Sequence, residues 1–181
     1  YVIKSAEQLA LLAAELGTGS SFTGKYIVLG ADIDLSGHIW QPPQQGFSGS
    51  FDGRFYSIEG MHIHASEHYV GLFGLLNSGS TVKNLYLDGD ISVKQVSNTI
   101  FDIGSVAGYS EGSIQNCSYT GTISVDNSVH TGFSVIGGIV GFQYSRSLEG
   151  CVNNAAITVN LPLGSECYVG GIAGVANVSI L

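Results

Sequence analysis

Apolar residues and glycines recur along this chain at a fixed interval. The pattern Val70-Gly71-Leu72-Phe73-Gly74 returns three times, and its leading apolar residue stands at positions 70, 103, 136 and 169, each 33 residues apart. A fixed period of this size is the signature of a repeat architecture, in which each unit buries its apolar face against its neighbours. The leading residues Val70, Ile103, Ile136 and Val169 are therefore predicted to form one inward-facing ladder.

A second element follows each glycine pattern and aligns without gaps over twelve positions, in 82–93, 114–125 and 148–159. Its last apolar columns, headed by Ile91 and Val93, alternate with polar positions, which indicates a strand rather than a helix. Ankyrin and tetratricopeptide units also run 33 or 34 residues, but they need two helices per unit, which Gly-Gly-β-branched sequences disfavour. A propeller blade would need about 40 residues. The pattern therefore favours a parallel β-solenoid.

The first sixteen residues carry the one helical pattern of the chain. Ser5 and Gln8 have the spacing of a capping box. Leucines then recur at positions 9, 12 and 16, and Gly17 ends the run. The first strand of a solenoid would otherwise offer unpaired backbone groups, so this helix is predicted to cover the first coil. A helix that binds a partner is the alternative.

These elements predict an all-β chain: a right-handed parallel β-helix, or β-solenoid, of about five coils with an N-terminal capping helix. One domain is predicted over 1–181. Its parts are a helical cap at 1–21, the first coils at 22–69, full repeats at 70–102, 103–135 and 136–168, and a truncated repeat at 169–181.

Composition narrows the range of partners. The chain has 26 Gly, only 11% charged residues and a net charge of −8 with six Lys plus Arg. Nucleic acid and anionic membrane surfaces both require basic residues, so neither is an expected partner. No apolar run reaches the roughly 18 residues that span a bilayer, so no membrane insertion is expected. The absence of an initiator Met and of a signal peptide suggests a segment of a longer parent chain.

A combination of motifs resembles a known family. The motifs are Ser-Ala-Glu-Gln-Leu at 5–9, Gly-Lys-Tyr-Ile-Val-Leu at 24–29, Asp-Ile-Asp-Leu at 32–35, Phe-Ser-Gly-Ser-Phe-Asp-Gly at 47–53 and Val-Gly-Leu-Phe-Gly at 70–74. Together they resemble the GLUG-repeat modules of bacterial secreted and cell-surface proteins, including regions that accompany IgA-specific zinc metallopeptidases. The resemblance implies a β-helix, a bacterial source and an extracellular or cell-surface location. It implies no single activity.

Two functions remain open at this stage. The chain is either a non-catalytic module, acting as a spacer or as an adhesive face for host glycan or protein, or an accessory region that holds substrate for a larger secreted hydrolase. Exposed tyrosines can stack on sugars and hydrogen-bond to them without strong electrostatics. The candidate binding residues are Tyr56, Tyr69, Tyr86, Tyr109 and Tyr144; Tyr119 shares a column with Leu87 and is expected to be partly buried.

No catalytic residue, metal ligand or cofactor is predicted. His64 to His68 matches the metallopeptidase pattern H-x-x-E-H, but that pattern functions only on a helix, and this segment is predicted to be strand and loop. Asp32 and Asp34 share a strand face, yet no second acidic cluster completes a site. Cys117 and Cys151 occupy one column, and a stack of small buried side chains is favoured over a disulfide.

Overall fold

The computed structural model of the chain describes residues 1–94, 100–126 and 133–178. It contains one helix, α1 (Ala6–Gly17), and short and long strands. The strands are β1 (Val2–Ile3), β2 (Tyr26–Leu29), β3 (Ile33–Asp34), β4 (Gly46–Phe47), β5 (Ser50–Asp52), β6 (Ser57–Ala65), β7 (Tyr69–Val70), β8 (Phe73–Leu76), β9 (Thr81–Lys94), β10 (Phe101–Ile103), β11 (Ala107–Ser110), β12 (Ser113–Asp126), β13 (Phe133–Gly137), β14 (Val140–Gln143), β15 (Leu148–Glu149), β16 (Val152–Asn153), β17 (Ala156–Asn160), β18 (Glu166–Gly170) and β19 (Ala173–Ala176).

The strands form three parallel sheets that wind into a β-solenoid of about four turns. The first sheet follows the path β1-β2-β5-β9-β12-β15, with β3, β6, β16 and β17 paired beside it; the second is β18-β13-β10-β7; the third is β19-β14-β11-β8-β4. The predicted parallel β-helix is confirmed. The five coils counted in the sequence include partial ones, since only four strands stack in the second sheet. The end of the truncated repeat, 179–181, lies outside the described residues.

The inward ladder of the glycine repeat is confirmed. Ile103 pairs in register with Val70 on one side and with Ile136 on the other, and Ile136 pairs with Val169. The first three side chains are fully buried, whereas Val169 is 51% exposed because β18 is the outermost strand of its sheet. The same position is therefore core in the middle of the solenoid and half-exposed at its last coil.

The N-terminal helix is the predicted cap. The backbone N–H of Gln8 donates to Ser5 Oγ at 3.4 Å, and Gln8 Oε1 accepts from the backbone N–H of Lys4 at 2.7 Å, one residue before the donor of a standard capping box. Leu9, Leu12 and Leu16 are buried in the main hydrophobic core. Burial of this apolar stripe, rather than the intrinsic propensity of twelve residues, holds the helix in place.

The corner between the second and third sheets explains why glycine recurs there. A Cβ on Gly104 would lie 2.5 Å from the carbonyl oxygen of Ala107, 2.5 Å from Val140 Cα and 2.7 Å from the carbonyl oxygen of Ile139. Gly71, Gly137 and Gly170 stand in the same column and meet the backbone in the same way. None of the four has a positive φ. The repeat therefore requires glycine for close backbone approach and not for an unusual dihedral angle.

We expect Gly104→Ala to lower the free energy of unfolding by about 1–3 kcal/mol, because backbone atoms on three sides cannot move away from the new methyl group. Gly171→Ala is the matched control. It changes a glycine of the same motif in the last coil, where φ is not positive and no atom lies within 4 Å of the new Cβ. Chemical denaturation of both variants measures the difference. Equal loss in the two would contradict the close-approach explanation.

A second structural column makes the long strands bend. Asn84 and Asn116 have positive φ values of 51°, and Gly150 occupies the equivalent position with a φ of 60°. Asparagine and glycine are the residues that most readily adopt this conformation. Asn116 Nδ2 donates to Asn84 Oδ1 at 3.1 Å, and Asn84 Nδ2 donates to Asp52 Oδ1 at 3.0 Å. Side-chain hydrogen bonds thus connect three successive coils at the bend.

Candidate functional site

Four aromatic rings stack along the outside of the second and third sheets. They belong to Tyr69, Tyr109, Phe142 and Tyr144, which we call the aromatic strip. The ring centroid of Tyr109 lies 6.0 Å from that of Tyr69, 5.6 Å from that of Phe142 and 6.2 Å from that of Tyr144. The last two pairs are nearly parallel, with interplanar angles of 21° and 23°. The strip therefore runs across three consecutive coils, or on the order of 10 Å at the usual spacing between strands.

The register of the third sheet produces the strip. Tyr109 in β11 pairs directly with Phe142 in β14, and the same column continues to Leu75 in one direction and Val175 in the other. In-register parallel strands place such residues side by side. The aromatic rings thus occupy the two middle coils, and aliphatic side chains flank them.

Neighbouring groups hold the two ends of the strip. The side-chain amide of Gln44 donates to the carbonyl oxygen of Tyr69 at 2.9 Å and accepts from its backbone N–H at 3.3 Å. The backbone N–H of Tyr144 donates to the carbonyl oxygen of Ser110 at 2.8 Å. These contacts fix the backbone at both ends, so the rings are positioned before any ligand binds.

The strip is partly open to solvent and carries polar groups along its edge. Tyr144 is 52% exposed, and the other three rings are half-buried. Burial, together with the nearby groups of Glu111, Tyr144 and Tyr69, raises the pKa of Tyr109. Its phenol is therefore protonated at neutral pH and lies 3.5 Å from Glu111 Oε1, to which it can donate. The strip offers ring faces, phenol donors and one carboxylate acceptor.

The other tyrosines considered in the sequence lie elsewhere. Tyr86 is 45% exposed on the first sheet, beside Phe55. Tyr56 is half-buried and packs against the main core. Tyr119 is fully buried, beyond the partial burial expected for it, and its hydroxyl lies 2.8 Å from the carbonyl oxygen of Gly89. The structure thus brings three of the five candidates together and leaves Tyr56 and Tyr86 apart from them.

An unexpected buried carboxyl group lies beside the strip. Asp102 pairs with Tyr69 on one side and Val135 on the other in the second sheet. It is only 6% exposed, and its Oδ1 has no hydrogen-bond partner among the described residues. Burial raises the pKa of this carboxyl from 3.8 to about 7. No repeat pattern indicated it, because the equivalent position in the other coils is Tyr or Val.

The histidine-rich segment is strand followed by loop, as predicted. His62 and His64 lie in β6, which continues to Ala65. Their neighbours differ: His62 Nδ1 is 3.7 Å from Asp90 Oδ2, whereas His68 stacks on Phe101 with centroids 6.2 Å apart. Within the described ranges, no three His, Cys, Asp or Glu side chains are placed to hold a metal ion.

The acidic pair and the cysteine column have structural partners. Asp32 Oδ1 accepts from the backbone N–H of Ser57 at 2.8 Å, and Asp34 Oδ1 accepts from that of Ser36 at 2.8 Å. Cys117 is buried and Cys151 is half-buried, both as free thiols. The thiol of Cys117 donates to the sulfur of Cys151, which raises the pKa of Cys117 and lowers that of Cys151.

Phe142 is the strip residue that the sequence reasoning missed. It stands 33 residues after Tyr109, which is the interval of the repeat, so the period carried the signal. A search for tyrosines alone overlooked it because phenylalanine has no polar group.

Comparisons with known proteins give two relatives of part of the chain. It is 30% identical over 128 residues to a protein of Evansella cellulosilytica described as "Putative Gly-rich membrane protein", covering 65% of this chain and 14% of that protein. It is 33% identical over 117 residues to halomucin of Haloquadratum walsbyi, covering 64% of this chain and 1% of halomucin. The chain thus corresponds to a small part of each relative. No family model matches it. No solved structure matches it either.

Among the described residues no helix combines the length and hydropathy needed to cross a bilayer. The only helix of that part of the chain is the twelve-residue cap.

Proposed function

We propose that this chain is a non-catalytic repeat module of a larger surface protein and that its aromatic strip binds a neutral glycan. The observation that carries the proposal is the stack of Tyr69, Tyr109, Phe142 and Tyr144 across three coils. Rings held by register and by backbone hydrogen bonds need little ordering when a ligand arrives, which favours binding.

The chemistry of the strip suits a sugar chain. The apolar faces of sugar rings pack on aromatic rings, while sugar hydroxyls bond to phenols and carboxylates. Tyr109, Tyr144 and Glu111 supply such groups along one edge. A neutral glycan is favoured over an acidic one because the chain has a net charge of −8 and the strip includes no basic residue.

The relatives support a location at the cell surface. One is described as a membrane protein and the other as halomucin, and both are far longer than the region they share with this chain. A rigid stack of coils within a long surface protein would hold the strip away from the cell. Membership of the GLUG family and a role beside a hydrolase both stay predictions from the sequence.

We expect Tyr109→Ala and Tyr144→Ala each to weaken glycan binding about tenfold, because each removes one stacking face worth about 1 kcal/mol or more. The measurement is a glycan array of neutral and sialylated chains, followed by titration calorimetry with the strongest neutral binder. Tyr1→Ala is the control, since Tyr1 is 68% exposed and lies far along the chain at the cap.

The parent chain is incubated with the same glycans, and product formation is followed by mass spectrometry. We expect no cleavage. Cleavage by the purified chain would refute the non-catalytic assignment. Absence of binding to every glycan, or equal losses in Tyr1→Ala and Tyr109→Ala, would refute the role of the strip and leave a plain spacer.

A further inference from the structure

An exposed phenylalanine occupies an unfavourable backbone conformation on the first sheet. Arg54 and Phe55 have φ values of 51° and 64°, and the N–H of Tyr56 donates to the carbonyl oxygen of Gly53 at 2.8 Å across the turn they form. Two consecutive left-handed residues in a tight turn are normally Asn and Gly, and a bulky residue there costs about 1–2 kcal/mol. Phe55 is nevertheless 57% exposed. Core burial therefore does not explain why a large ring is kept there.

The ring of Phe55 forms one wall of a groove. Tyr86 lies beside it, with ring centroids 6.1 Å apart and planes tilted by 44°. Tyr86, Ser118 and Val152 follow one another in register on successive coils, so the groove runs along the stacking direction. It encloses a volume of ≈ 430 Å³, and none of its lining residues is charged.

The floor of the groove contains the open end of the asparagine ladder. Asn116 Nδ2 donates to Asn84 Oδ1, but Asn116 Oδ1 accepts no hydrogen bond from the described residues. An asparagine in the next coil would supply that donor, and Gly150 stands there instead. A Cβ at Gly150 would lie 2.5 Å from Asn116 Oδ1, so glycine keeps this acceptor accessible.

We infer that this groove is a second binding site, for a neutral saccharide whose ring packs on Tyr86 against Phe55 and whose hydroxyl donates to Asn116 Oδ1. Ring faces beside an unpaired amide oxygen and the hydroxyl of Ser118 match the alternating apolar and hydroxyl surfaces of a sugar. A peptide anchor would need a deep pocket that excludes water, whereas this floor is polar and open. The groove lies on the first sheet, so it does not depend on the aromatic strip.

The decisive variant is Gly150→Asn. Asparagine tolerates the left-handed conformation and would extend the ladder by donating to Asn116 Oδ1, which closes the acceptor. We expect binding in the groove to fall at least tenfold while the melting temperature is retained or raised. Gly164→Asn is the matched control, because Gly164 also has a positive φ, of 87°, and no atom lies within 4 Å of its Cβ position.

The experiment is a titration of the ¹⁵N-labelled chain with maltotriose, cellotriose and N-acetylchitotriose, with a proline-rich peptide as the competing class of ligand. Shifts of the Asn116 and Ser118 amides by a saccharide, lost in Gly150→Asn and Tyr86→Ala and kept in Gly164→Asn and Tyr109→Ala, would support the site. Tyr109→Ala separates this result from the fate of the strip. Shifts that persist in Tyr86→Ala, no shift with any saccharide, or shifts caused only by the peptide would overturn it.

Discussion

Ile136→Asp is expected to unfold the chain or to lower its melting temperature by tens of degrees. Ile136 is fully buried between Ile103 and Val169 in the second sheet, and no cationic or polar side chain faces it in that ladder. An unpaired buried carboxylate costs several kcal/mol, in addition to the lost packing. Domains are stable by only about 5–15 kcal/mol in total. Circular dichroism and thermal melting of the purified variant measure the effect.

Val169→Asp is the control for that substitution, because it introduces the same side chain into the same column one coil later. Val169 is 51% exposed, so its carboxylate would remain hydrated and the cost should be small. A melting temperature for Ile136→Asp within a few degrees of the parent would show that the ladder does not hold the core together. An equal loss at both positions would show that burial does not control the effect.

The second large effect concerns Asp102 and depends on pH. The pKa of its carboxyl is raised from 3.8 to about 7, so the folded chain retains a proton that the unfolded chain releases. The stability of the fold is therefore full below about pH 4, falls as the pH rises toward 7 and levels off above it. Such a displacement corresponds to a loss of about 4 kcal/mol between the two ends of the range.

Asp102→Asn replaces the carboxyl by an amide that cannot ionise and has nearly the same shape. We expect its stability to match that of the parent at pH 4 and to exceed it at pH 8, by on the order of 10 °C in melting temperature. Denaturation curves at intervals from pH 4 to pH 9 test this, and the difference between the two chains cancels the titration of all other groups. A constant difference across the range would contradict the raised pKa.

The repeat made the fold predictable, and its exceptions were not. Equal spacing of Val70, Ile103, Ile136 and Val169 is enough to predict stacked coils, because identical units can bury the same face only by lying in register. Asp102 is different. It occupies a column in which Tyr69 and Val135 are its neighbours, and no periodic signal marks a single polar residue as buried.

The candidate site was predictable only in part. Tyr109 and Tyr144 were recognised by residue type, but their assembly with Tyr69 depends on how the corner brings two sheets together. The role of Gly150 also needed the structure. In the sequence it is a departure from Asn84 and Asn116, whereas the positive φ shared by all three shows that glycine preserves the bend and removes only the side chain.

The equivalence of the coils has a consequence for how such a protein changes in length over generations. Each 33-residue unit meets its neighbours through the same register on every sheet, so a duplicated unit inserts between two existing coils without a new kind of interface. Deletion of a unit closes the gap just as well. The reach of the protein can therefore vary by recombination while the core composition stays constant, and the outward positions of each added copy are free to diverge into new surfaces.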